Sequence, residues 1–230
     1  MRTGGGFQQA GASVVEALRR RLREMPVIPA VRGVEETEEA CRRGAAAVFF
    51  FKGDLFALRE AVPLCQAAGI PVYVHLDLIE GVGKDAAGIR LVREVGASGV
   101  VSTRGPLLRE AKAAGLLAIH RVFVVDSEAL RTGVSAVRGS EADLVEVLPG
   151  LVVPFVMREL RQTLPQPVIG AGLVTEPSQV EAILRAGAVG VSASARRCSP
   201  STSPKVPPND TASSMLRRRA ATLSWNSPRW

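Results

Sequence analysis

The sequence predicts an α/β fold, a (β/α)8 TIM barrel over residues 26–195, preceded by one extra helix within residues 1–25 and followed by a basic, low-complexity, non-globular tail over residues 196–230. Three observations carry this reading. Glycine or proline stops recur near Pro26, Gly44, Gly69, Gly96, Gly115, Gly139, Pro167 and Gly187. Their spacing of about two dozen residues is the length of one helix, one strand and two loops. Each stop precedes a short apolar run, the pattern of a strand buried on both faces. There are eight such runs, enough to close a barrel, where five or six would leave a doubly wound sheet open.

In chain order, Ser13-Val-Val-Glu16 has capping-box spacing, and Val14, Leu18, Leu22 and Met25 recur on one helical face with Arg19, Arg20, Arg21 and Arg23 mostly elsewhere. A helix is therefore expected before the first strand, its basic face solvated over the base of the barrel. Strands are expected over residues 27–31, 47–51, 72–76, 99–102, 117–123, 144–147, 168–171 and 189–192. Their C-terminal ends carry the polar chemistry: Arg32-Gly33, Lys52-Gly53-Asp54, His75-Leu-Asp77, Ser102-Thr-Arg104, Arg121 with Asp126, Glu146, Gly170-Ala-Gly172 and Ser192-Ala-Ser194. Any one of these also reads as a turn or helix cap; together at one end of a barrel they make a site. Strand alternation places His75 and Asp77 on one face, with Glu80 following in a glycine-containing loop. Left unpartnered, each buried polar group costs on the order of 1–3 kcal/mol. A purely structural His75–Asp77 pair is the competing reading.

After Ala195 the βα periodicity stops. Residues 199–208 are rich in Ser and Pro, and Arg217-Arg-Arg219 is a charge run. From Arg196 onward, seven basic residues and one acid account for +6 of the +7 net charge, so the body stands at +1 and charge alone does not argue for nucleic acid. With 47% hydrophobic and 4% aromatic residues, the core is built from Val, Leu, Ala and Ile. No apolar run reaches the ~18–20 residues of a membrane span, and Met1-Arg-Thr-Gly-Gly-Gly lacks the apolar centre of a signal peptide, so a cytoplasmic protein with no membrane partner is expected. Cys41, Cys65 and Cys198 are scattered without Cys-x-x-Cys spacing, which points to reduced thiols rather than a disulfide framework or a zinc site.

Gly170-x-Gly172 after the seventh strand and Ser192 to Ser194 after the eighth occupy the recurring phosphate-binding position of such barrels. Asp77, Glu146 and His75 can accept hydrogen bonds from hydroxyls; Arg32, Arg104 and Arg121 can donate to phosphate. A small phosphorylated polyol fits this distribution. Of the four lysines only Lys52 lies at a strand end, where it should be solvated, and no ligand cluster supports a metal. Proton transfer by His75 with Asp77, or Asp77 with Glu146, stays open, but no catalytic residue, metal or cofactor is required.

Several stretches closely resemble the glycerol-3-phosphate-responsive antiterminators of bacterial glycerol-uptake operons: Ile28-Pro-Ala-Val-Arg-Gly33, Val74-His-Leu-Asp-Leu-Ile-Glu-Gly81, Gly99-Val-Val-Ser-Thr-Arg104, His120-Arg-Val-Phe, Asp126-Ser, Val145-Glu-Val-Leu-Pro-Gly150 and Gly170-Ala-Gly-Leu173. The likeness runs in register from about Val27 to Ser194. It implies a TIM-barrel regulator rather than an enzyme, with glycerol 3-phosphate as effector at the C-terminal face and the leader mRNA of the operon as partner in transcription antitermination. Arg32, His75, Asp77, Glu80, Ser102, Arg104, Arg121, Glu146, Gly170, Gly172 and Ser194 fall within matching motifs as ligand-face candidates. His120 stands where the resemblance implies glutamine. The loop from Glu80 to Asp85 is the candidate moving part. A phosphate-barrel enzyme, such as an isomerase, aldolase or glyceryl-phosphate prenyltransferase, is the rival. The sequence leaves a homo-oligomer open.

Overall fold

The computed structural model describes residues 5–194. Eight parallel strands, β1 Val27–Val31, β2 Val48–Phe50, β3 Val72–His75, β4 Gly99–Ser102, β5 Leu117–Phe123, β6 Leu144–Leu148, β7 Val168–Ala171 and β8 Gly190–Ser194, close into a barrel in chain order. The seam between β8 and β1 pairs Val27 with Val191 through to Ala30 with Ser194. Helix α1 Gly5–Glu24 precedes the barrel, and α2 Val34–Arg42, α3 Leu55–Ala67, α4 Ala86–Val95, α5 Gly105–Ala113, α6 Ser127–Ser140, α7 Val153–Thr163 and α8 Pro177–Ala186 follow β1 to β7 in turn, the (β/α)8 architecture. The tail expected over residues 196–230, with any helix closing the barrel after β8, lies outside the described residues.

Strand alternation divides the core into two layers. Outward side chains such as Val48, Val74, Val145 and Val191 pack under the surrounding helices, and inward ones such as Ile28, Phe49, Tyr73, Ile119, Leu144 and Ile169 fill the barrel. Leu18 and Leu22 of α1, 2% and 1% exposed, join that inner cluster, so the N-terminal helix seals the strand N-terminal end and turns Arg19, Arg20, Arg21 and Arg23 outward. The opposite mouth stays open for a site.

Two local expectations change. α1 begins at Gly5, ahead of the Ser13 capping box, and Glu16 pairs instead with Arg19 and Arg23 further along the helix. Gly139 lies inside α6, whose left-handed C-cap is Glu141 at φ 59. Glycine spacing alone does not see that helix run on by two residues. By contrast Gly96 and Gly187, at φ 98 and 107, cap α4 and α8 in the left-handed conformation that favours glycine. At the C-terminal face, Asp54, Asp85 and Asp126 accept backbone N–H bonds from Ala57, Gly88 and Ala129 as helix N-caps. The bland reading of Asp54 and Asp126 is therefore the structural one.

Candidate functional site

At the C-terminal mouth the inward positions of β1, β5, β6 and β8 converge on a cavity of about 290 Å³. Arg32, Arg121, Glu146, Gly172, Ser192 and Ser194 line it, together with Phe51, Leu148 and Thr175. Its volume lies at the lower edge of the roughly 300–1,000 Å³ range for small-molecule sites, so a ligand of a few carbons suits it.

The floor is an ionic cluster. Arg121 Nε lies 3.3 Å from Glu146 Oε2, and Arg121 Nη1 lies 3.3 Å from His75 Nδ1. The guanidinium sits 5.4 Å from the ring centroids of both Phe51 and Phe123, a cation–π arrangement that fixes its plane. Glu146 is 1% exposed, and burial pushes its carboxyl up to about 7 against the opposing pull of Arg121. Burial, reinforced by the Arg121 charge, holds His75 well below its ordinary value. His75 is therefore neutral at pH 7, and its 3.9 Å approach to Glu146 is a polar contact rather than an ion pair. Among the described residues, Arg121 Nε, His75 Nε2 and Glu146 Oε2 find no hydrogen-bond partner.

Across the cavity, the loop after β7 turns through Gly172 at φ 74 and Leu173 at φ 57. Leu173 is a non-glycine residue in the left-handed region, a conformation that costs about 1–2 kcal/mol, and its side chain is 71% exposed. Strain of this kind clusters at ligand clamps. Ser192, 4% exposed and opposite Ala171 in the β7–β8 register, points into the same space. Arg32 closes the edge, its backbone N–H donating to Glu36 and its guanidinium 3.8 Å from the same carboxylate.

The profile of the glycerol-3-phosphate responsive antiterminator family matches residues 27–198. The chain belongs to that family. Its barrel superposes on a glycerol uptake operon antiterminator regulatory protein from Listeria monocytogenes with a TM-score of 0.67, at 30% identity over 72% of this chain and 90% of that one. A glycerol uptake operon antiterminator-related protein from Thermotoga maritima gives 0.66, at 29% identity over 75% and 96%. The Escherichia coli K12 protein YgcP, which is uncharacterized, is 31% identical over 172 residues, 74% of this chain and 90% of that protein.

The antiterminator motifs divide in space. Arg32, Arg121, Glu146, Gly172, Ser192 and Ser194 meet at the cavity, with His75 beneath it. Asp77, Ser102 and Arg104 form a separate cluster on the rim. Asp77 does not share a strand face with His75, because β3 ends at His75 and a 3-10 turn, Leu76–Leu78, follows. Asp77 Oδ2 accepts bonds from Ser102 Oγ at 2.8 Å and the Thr103 N–H at 2.9 Å, while Oδ1 lies 3.4 Å from Arg104 Nε. The Lys84 ammonium fixes the same turn by donating to the carbonyls of Leu76 and Ile79. Glu80 is exposed on a two-residue bridge to Asp54, and Gly170 faces outward under α8. His120 also points outward, its Nδ1 2.8 Å from Ser140 Oγ, so its imidazole stays clear of the cavity. Phe51 was not singled out by its chemistry; the parity it shares with inward Phe49 is the signal that finds it.

The rim cluster reads as structural. Asp77→Asn keeps one acceptor oxygen but removes the charge that orders the Ser102 to Arg104 turn, and should lower stability by about 1 kcal/mol in urea unfolding. A loss well above that value would assign the cluster a larger part in the fold.

Proposed function

We propose that this antiterminator-family protein binds glycerol 3-phosphate in the mouth cavity and, in its liganded form, acts on the leader mRNA of a glycerol-uptake operon so that transcription passes the terminator. It would do so in the cytoplasm, without a cofactor. One observation carries the reading. Within about 290 Å³ the cavity joins a phosphate-type edge, Gly172, Ser192, Ser194 and Arg32, to a floor where Glu146 and Arg121 can meet hydroxyls. The printed names of the Listeria and Thermotoga relatives support the same setting.

Coupling to RNA requires that the ligand prefer the RNA-competent state, and about 1–3 kcal/mol of preference gives roughly a 5–150-fold change in RNA affinity. None of residues 80–85 lines the cavity, whereas Arg121 does, and it spans from buried Glu146 to the 53% exposed Phe123 ring. Arg121 is therefore the better candidate for carrying the signal to the surface. The Arg217 to Arg219 run lies outside the described residues.

Titration calorimetry of the full chain with glycerol 3-phosphate, glycerol and inorganic phosphate tests the reading. Selective binding of the phosphorylated polyol is expected. Arg32→Ala should weaken it about tenfold, the lower end for a charge-assisted bond because Arg32 is partly solvated. A folded protein that ignores the ligand overturns the proposal. Glu146, titrating near neutrality as a general base does, favours one rival, an enzyme acting on a phosphorylated polyol by proton transfer. Turnover abolished by Glu146→Gln would establish it. Among the described residues no lysine lines the cavity, which removes the nucleophile of a Schiff-base aldolase.

A further inference from the structure

We infer that Glu146 is the specificity-determining group of the cavity: its carboxylate accepts a hydrogen bond from the terminal hydroxyl of the ligand, at the end remote from phosphate. The site then takes a polyol phosphate and rejects three-carbon phosphates that carry a methyl or a carboxylate at that end. This rests on the phosphorylated-ligand reading above.

The floor shows why. Glu146 projects inward from β6, is 1% exposed and lines the cavity, yet among the described residues Oε2 has no hydrogen-bond donor. A buried acceptor left open is costly, and a ligand hydroxyl removes that cost. Arg121 does not fill the role: its Nε stands 3.3 Å away in poor alignment and, among the described residues, has no hydrogen-bond partner. The guanidinium is held by two aromatic rings and directs Nη1 to His75. Above about pH 7, where Glu146 is ionised, it balances the Arg121 charge, so a ligand carboxylate meets a neutral pair and, in that pair, another carboxylate. A methyl group meets the same open acceptor and leaves it dry. With phosphate at the Gly172 and Ser192 edge, Glu146 is the acidic group among the lining residues left to meet the other end of a small ligand.

The test is calorimetry of the full chain and of Glu146→Gln with three ligands: glycerol 3-phosphate, 1,2-propanediol 1-phosphate, which lacks the terminal hydroxyl, and 3-phosphoglycerate, which carries a carboxylate there. At pH 8, where Glu146 is ionised, the native protein should prefer glycerol 3-phosphate by about tenfold or more over both, the value of one buried hydrogen bond. In Glu146→Gln, checked for an intact fold by circular dichroism, the preference over 3-phosphoglycerate should collapse, because the amide can donate to a carboxylate. Equal binding of all three ligands by the native protein overturns the inference while leaving the phosphorylated-ligand reading intact, and so does a preference unchanged in Glu146→Gln. Failure of all three to bind the folded native protein removes that reading, and the inference with it.

Discussion

Arg121→Met should lower stability by about 3 kcal/mol at pH 8 and by about 1 kcal/mol or less at pH 5. Methionine keeps contact with Phe51 and Phe123 but leaves Glu146 as a buried carboxylate without a cation, and breaking a buried pair from one side typically costs about 3–5 kcal/mol. The lower end applies because Glu146 can take a proton instead. The pH dependence follows from the direction of each shift. Glu146 is raised from 4.5 to about 7 on folding, so the folded chain holds its proton more tightly than the unfolded chain; stability present below pH 4.5 is lost as pH rises through about 7. His75 is depressed from 6.5, so its share of stability is present above pH 6.5 and lost as pH falls toward its folded value. Arg121 lowers both groups. Removing it lets Glu146 rise further, deepening the loss at pH 8, and lets His75 rise, easing the loss at acid pH. Urea unfolding of native protein and variant at pH 5, 6.5 and 8 checks this. A difference constant across the three would mean that Arg121 acts through packing alone.

The barrel was legible because its signals are local. Residues 27–31, 99–102, 117–123 and 168–171 are strands over the expected spans, and the other four differ by one or two residues at their ends. Apolar runs and stops are read within one βα unit, and eight repetitions leave little room for another fold. The site was legible only in part, because its partnerships are non-local. Alternation places His75 and Asp77 on one face of the strand, but a 3-10 turn begins at Leu76, and His75 instead contacts Arg121, 46 residues away. No pattern within β3 contains that information. Asp77 in turn finds Ser102 at the end of the neighbouring strand and Thr103 just beyond it. What the sequence did carry was parity: counting inward positions along β5, β6 and β8 selects Arg121, Glu146, Ser192 and Ser194 together, without any motif.

Gly170→Val should cost about 2–3 kcal/mol of stability and leave ligand affinity unchanged, the reverse of what the Gly170-x-Gly172 motif suggests. A phosphate-loop reading makes both glycines approach the anion. In the barrel they face opposite ways, since Gly170 is an outward position of β7 and only Gly172 reaches the cavity. A Cβ at Gly170 would stand 2.8 Å from Ile183 Cγ2 and 3.5 Å from Val153 Cγ2, side chains of α8 and α7 that are fully buried. Valine therefore forces two helices away from the sheet, and overpacking of a close-packed core typically costs about 1–3 kcal/mol. Its better strand propensity offsets only part, on the order of 1 kcal/mol at most. Because α7 and α8 lie outside the strands, the strain is taken up away from the side of β7 that faces the cavity. Paired measurements separate the two readings: urea unfolding for stability, and calorimetry with glycerol 3-phosphate on protein kept well below the unfolding transition. If Gly170→Val proves as stable as the native chain but no longer binds, the glycine touches the ligand and its helix-packing role is refuted.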